Sequence, residues 1–266
     1  DVTHRGFEAD RTTVEGHAPF FSQPHADVVR ECWIRAVLNA CDLAGVSVPM
    51  VWLWPRHVVG AATLSFDCEQ FDIDRVFRVY RTLAMFGCPA SWVVKAPGYS
   101  LDAFRAIRAW DHEVALLFDT DDAAGWHEER LKIQLTAMRR ASARPQILAF
   151  RPVDGRWRGW TLPHGLAEAA GPRLSLGRGG RQPGTMGFLF GTCHPYFPVR
   201  RDGTSYYVAE LPSTIYEPGT VTPDAVCDAI LDQTRDRHGC LHMVTTPESF
   251  DNQTIFASVR RLLSLC

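Results

Sequence analysis

The sequence predicts an α/β fold, a distorted (β/α) barrel with an added N-terminal helix, on three observations. From residue 61 onward, short apolar runs alternate with stretches of helical period, the pattern of a mostly parallel sheet wrapped by helices. The 266 residues, 46% hydrophobic and 22% charged, supply enough apolar material for one large core. The apolar runs end on acids, an arginine and a histidine-bearing segment, and in a barrel of parallel strands the reacting groups gather at the C-terminal strand ends.

Two segments follow from the pattern: residues 1–53, an irregular arm and a packing helix, and residues 54–266, the barrel. Residues 1–25 mix Gly, Pro, His and charge without period. Over 26–44, Val28, Val29, Cys32, Trp33, Ala36, Val37 and Ala40 recur at spacings of three and four, and Gly45 supplies a stop, which predicts a helix packed on the outside of the main body. Strands are predicted over 61–67, 91–95, 113–118, 147–151, 206–211 and 240–245. Between and after them come helices over 73–86, ended by Gly87, over 101–110 behind a Ser100 cap, over 127–141 before Pro145, and over 251–265. One more opens at Thr222-Pro223, with Thr222 as cap and Pro223 at the first position. His164 starts a further helix and is expected at the surface. Residues 171–198 are rich in Gly, Pro and Arg and read as long loops, which inside a compact domain are often functional.

A formal net charge of −2 and a pI near 6.6 exclude a global basic field for nucleic acid or an anionic membrane, so a neutral small molecule or a sugar fits better. No stretch reaches the ~18 apolar residues of a membrane span, and residues 1–15 lack the apolar run of a signal peptide. Eight cysteines without a C-x-x-C pair point to a reducing, cytoplasmic setting. Cys68 and Cys240 fall in strands, where cysteine serves as a small apolar residue.

Four strand ends carry chemistry. Asp67-Cys68-Glu69 places two acids two positions apart, one suited to act as general base and the other as a metal ligand; alternatively Asp67 caps a turn and Glu69 is solvated. Arg151, fixed before Pro152, would hold a neighbouring Asp67 ionised, or else form a surface ion pair. The strand 113–118 opens with His112, a structural position, and closes on Asp119 and Asp121, whose hard oxygens suit Mg²⁺, Ca²⁺ or Mn²⁺ and equally suit the first turn of the next helix. His242 lies within the last strand, either as a general acid or as a buried, hydrogen-bonded ring. His194 and Tyr196 in the long loop, with Trp157 and Trp160 before it, have the composition of a sugar-stacking surface.

In order, these motifs resemble the NodB-type polysaccharide deacetylases of carbohydrate esterase family 4, over roughly residues 54–265. Leu64-Ser65-Phe66-Asp67-Cys68-Glu69 is similar to the family's opening acid pair, Phe150-Arg151-Pro152 to its arginine-proline motif, and Phe188-Leu189-Phe190-Gly191-Thr192 with Pro195-Tyr196 to a loop of its surface-polysaccharide, O-antigen-type branch. The resemblance implies Asp67 as base, Arg151 and His242 as further catalytic residues, and Glu69 with Asp121 as metal ligands. The chain departs from the pattern at Leu117 and Asp121, where the family has its two metal histidines, and at Thr246, where that branch has its proton-donating histidine. With both imidazoles gone, a divalent metal would be held weakly and none is expected after purification. Leu117 is expected to face the cleft as an apolar plug. The resemblance implies removal of N-acetyl groups from amino sugars in surface polysaccharide, by a metal-dependent hydrolase with an incomplete metal site; the alternative is an inactive deacetylase-fold protein that binds sugar. A metal-free hydrolase using Asp67 with His194 or His242 is a third reading. The partner in every case is an amino sugar or oligosaccharide.

Overall fold

The computed structural model describes residues 11–51, 53–55, 58–70, 72–120 and 125–266. Eight strands form one parallel sheet in the order β8-β7-β6-β5-β4-β3-β10-β9: β3 Ala61–Cys68, β4 Ser91–Lys95, β5 Glu113–Phe118, β6 Ala149–Pro152, β7 Leu174–Ser175, β8 Ala209–Glu210, β9 Ile215–Tyr216 and β10 Cys240–Thr245. The helices α2 Ile73–Met85, α3 Leu101–Ala109, α4 Glu128–Ser142, α5 Leu162–Ala170, α6 Asp224–Asp236 and α7 Gln253–Leu265 lie between or after these strands, the arrangement parallel strands require.

Alternation sorts the side chains. Leu64, Phe66, Trp92, Val94, Leu116, Phe118, Phe150, Leu241 and Met243 point outward into the main core with Val79, Leu83, Phe104, Leu135, Ile230 and Val259 of the helices. Val93, Ala115, Leu117, Ala149, Leu176 and Cys240 fill the concave face as a second, smaller cluster. Leu117, 1% exposed and level with Arg151 in register, belongs to that face.

Side-chain caps set four helix starts: Asp72 accepts from the N–H groups of Asp74 and Arg75, Ser100 from Ala103, His127 from Arg130, and Asn252 from Thr254 and Ile255. The predicted cap at Thr222 is corrected, because its hydroxyl donates to the Tyr216 carbonyl at 2.6 Å and α6 begins after Pro223 without a side-chain cap. His164 is also corrected: it is fully buried, 2.7 Å from the Glu210 carboxylate, rather than at the surface.

The N-terminal segment departs from expectation in two ways. Phe20 and Phe21 form β2 (Phe20–Phe21), paired antiparallel with β1 (Arg11–Thr12), and both phenyl rings are buried. Phe21 also exchanges backbone hydrogen bonds with the loop at Met186 and Phe188, so the arm is stitched to the body. The helix α1 (His25–Leu43) is where the period puts it, but Asp27 is its only buried residue among those described, and Trp33 and Val37 are 70% and 55% exposed. Its ties to the body are polar, Asp27 to Thr192 and Cys193, and Glu31 to Arg237 at 2.9 Å. The apolar stripe therefore lies open, where the period predicts packing.

Candidate active cleft

On β3, Thr63, Ser65 and Asp67 alternate with the outward-facing Leu64, Phe66 and Cys68, so Asp67 reaches the concave face at the C-terminal strand end. Arg151 comes from β6, on the far side of β4 and β5, and spans the concave face to meet it. Its Nη1 donates to Asp67 Oδ1 at 2.6 Å, its Nη2 to Ser65 Oγ at 2.7 Å, and its Nε to the Leu176 carbonyl at 2.8 Å. The guanidinium is fully buried, which excludes the surface ion pair.

A second arginine completes the arrangement. Arg181 Nη1 donates to the other Asp67 oxygen, Oδ2, at 2.5 Å, and its guanidinium lies over the Tyr216 ring at 4.7 Å. Burial alone would raise the Asp67 carboxyl; Arg151 and Arg181 outweigh it and hold the group below the usual carboxylate range. Arg181 ends the strap Gly177-Arg178-Gly179-Gly180-Arg181, which threads a channel too narrow for side chains: a Cβ at Gly179 would stand 1.8 Å from Ser213 Oγ, and one at Gly180 2.1 Å from the Thr185 carbonyl oxygen. Sequence reading marked this loop as functional without finding Arg181; the signal available was an arginine closing a glycine run inside a compact domain.

His242 lies beneath the pair. Its Nδ1 is 3.3 Å from the Leu211 carbonyl, and its Nε2 is 2.9 Å from Ser65 Oγ and 3.2 Å from Arg151 Nη2. Burial, reinforced by the charge of Arg151, pushes it down to about 3, so the ring is neutral near pH 7. A neutral ring whose Nδ1–H is directed at Leu211 offers Nε2 as an acceptor to Arg151 or Ser65. It is the buried, hydrogen-bonded ring, one of the two sequence readings of His242, placed to orient these two groups, and with its proton on Nδ1 toward Leu211 it offers no proton at Nε2 for the general-acid role.

Of the two predicted metal ligands, only Glu69 is among the described residues, and it does not join the Asp67–Arg151 pair. Glu69 stands past the end of β3, exposed, beside a shallow groove with Lys95 and Tyr99, and has no ion pair among the described residues. Asp121 lies outside the described residues. Asp119 is taken up by Lys95 at 2.8 Å. With Asp67 saturated by two guanidinium groups and an apolar Leu117 opposite Arg151, the donors around Asp67 among the described residues do not fit a divalent cation, which would meet two fixed positive charges and no available imidazole pair. His112 is structural, accepting the Ala90 N–H at Nδ1 at 2.8 Å.

The aromatic residues expected to stack on sugar meet around a different arginine. The Arg178 guanidinium lies 5.0 Å from the Trp157 ring, 4.9 Å from Trp160, 5.0 Å from Phe190 and 5.9 Å from Tyr196. Three of the four predicted stacking groups thus already face a resident cation, although Trp160 keeps 64% of its surface exposed. The fourth, His194, is buried beside Asp27 and Cys193.

No protein-family model and no curated protein matches the sequence. Solved structures do. A proposed polysaccharide deacetylase from Mycobacterium smegmatis superposes with a TM-score of 0.57 at 18% identity, covering 82% of this chain and 87% of that one. A second, from Bordetella bronchiseptica and described as involved in O-antigen biosynthesis, gives 0.48 at 14% identity over 79% and 82%. A family 4 carbohydrate esterase from Streptomyces lividans, in complex with acetate, gives 0.45 at 13% identity over 77% and 86%. The first carries the conclusion, which is one of fold: the chain has the distorted (β/α) barrel of the polysaccharide deacetylases, with α1 added before it.

Proposed function

We propose that the chain acts on N-acetylated amino sugars of surface polysaccharide, as a hydrolase of the acetamide bond in which Asp67 is the base. The observation that carries this reading is the Asp67–Arg151 pair at the C-terminal strand ends, a carboxylate kept ionised at the place where barrel enzymes keep their reacting groups. In the reaction, Asp67 takes a proton from water as the water oxygen bonds the carbonyl carbon. The carbon–nitrogen bond then breaks, and the protonated Asp67 returns that proton to the departing amine, because His242 Nε2 carries none. Arg181 must leave Oδ2 for water to enter. Turnover is therefore expected to be slow. The surface-polysaccharide assignment draws on the sequence of the 188–196 loop.

A second reading is favoured by Arg181 itself: with both Asp67 oxygens held by arginines, the cleft would recognise an acetamido sugar without cleaving it. Amine release from N-acetylated oligosaccharides separates the two, measured on the natural chain and on Arg181→Gln, alongside calorimetric titration in chelator. The hydrolase reading expects release that rises in Arg181→Gln. Binding in chelator with no release from either chain leaves recognition as the function; neither binding nor release overturns both.

A further inference from the structure

A cavity of about 580 Å³, lined by none of Asp67, Arg151, Arg181 or His242, opens beside Arg178 and His194. Its volume lies within the ~300–1,000 Å³ of small-molecule sites. The walls are largely apolar, with Phe21, Phe188, Phe190 and Trp160 among them.

Two polar side chains in this wall are buried and incompletely partnered. Arg178 is 5% exposed, and no carboxylate among the described residues lies within salt-bridge reach of its guanidinium. Glu210 bonds its backbone N–H at 2.9 Å instead, and Asp27, which also lines the cavity, is occupied by Thr192, the Cys193 N–H and Arg30. Of the five guanidinium N–H groups, one on Nη1 donates to Tyr196 Oη and one on Nη2 to the Trp160 carbonyl, both at 2.7 Å, while Nε has no acceptor. His194 is 4% exposed and its Nε2 has no partner. Burial lowers its proton affinity and favours the neutral ring, which carries one N–H and one bare nitrogen. Four surrounding rings offset part of the cost of a buried cation, but aromatic faces do not neutralise its charge.

We propose that this cavity binds a small monocarboxylic acid with a flat apolar body, its carboxylate on Arg178 and a hydroxyl on the body, able to donate or accept, directed to the unpartnered Nε2 of His194. Of the two guanidinium groups in the lining, that of Arg30 is paired with Asp27 at 3.5 Å, which leaves the single charge of Arg178 to match one negative charge; a dianionic phosphate would leave excess charge against apolar walls. The flat body follows from the phenyl and indole rings that line the space.

Calorimetric titration of the natural chain with 4-hydroxybenzoate, 4-hydroxybenzamide and phenyl phosphate tests this. The acid is expected to bind at least tenfold more tightly than its uncharged amide and more tightly than the phosphate. Binding of the acid is expected to weaken tenfold or more in Arg178→Gln, with partial recovery in Arg178→Lys. Equal affinity for acid and amide, tighter binding of the phosphate, or no saturation by the acid at about 10 mM would overturn the proposal. These comparisons on the natural chain stand even if an Arg178 variant fails to fold. None of the outcomes depends on turnover at Asp67, so this site and the cleft succeed or fail separately.

Discussion

Replacing Asp67 by asparagine leaves Arg151 and Arg181 facing each other without a counter-charge in a buried setting. Removing one partner of a buried ionic cluster costs roughly 3–5 kcal/mol, and urea denaturation of Asp67→Asn should register a loss of that order. His242 yields a pH signature. Its value falls from the ordinary 6.5 to about 3 in the folded chain, so the stability of keeping it neutral is complete above about pH 6.5 and drains away as pH falls toward 3. Between those limits it contributes a slope of up to about 1.4 kcal/mol per pH unit. Unfolding free energies of the natural chain and His242→Gln, measured from pH 7 to 4, should diverge in slope by nearly one proton; identical slopes would mean that His242 protonates in place. Asp67, Arg151 and His242 were legible because each sits on a strand whose period fixes its face. For Glu69 the sequence leaves ligand and solvated side chain open, and the structure shows it exposed, because β3 ends at Cys68 and alternation no longer fixes its face. Arg181 had no period around it to read.

Among the elements, the strap 177–181 is the least tolerant of change, because its glycines lie against Ser213 and Thr185 and its two arginines serve the cleft and the cavity. Gly180→Ala puts a methyl against a backbone carbonyl and should cost about 1–3 kcal/mol. The same displacement should draw Arg181 off Asp67, visible as a rise in the Asp67 carboxyl toward its ordinary value by carbonyl-detected titration. A variant with natural stability and an unmoved Asp67 would show that the strap has room to give. The strands β3, β4, β5, β6 and β10 and the long helices were readable from hydrophobic period. Of the two-residue strands, β8 falls inside the predicted 206–211, whereas β7 and β9 were not read, since two residues carry no period and pairing alone makes them strands. The open stripe on α1 was misjudged for the opposite reason: its period is clear, but period does not say whether a partner surface exists.

For the molecule as a whole, one barrel is formed by residues from 61 onward, as alternation of strands and helices implied, and among the described residues no helix is long and apolar enough to cross a membrane. The strand order also bears on the time course of folding. β3, β4, β5 and β6 are neighbours in sequence and in space, so that block can assemble as the chain emerges. The place beside β3, however, is filled by β10, some 170 residues later, and only then does His242 arrive under Arg151. If the early block does assemble during synthesis, it holds a sheet with a raw edge and an unfinished ionic cluster until residue 245 has left the ribosome. Pairings so distant in sequence make folding slow, and an exposed parallel edge invites mispairing. Arrival of β10, rather than any step among the earlier strands, is therefore expected to set when the sheet closes.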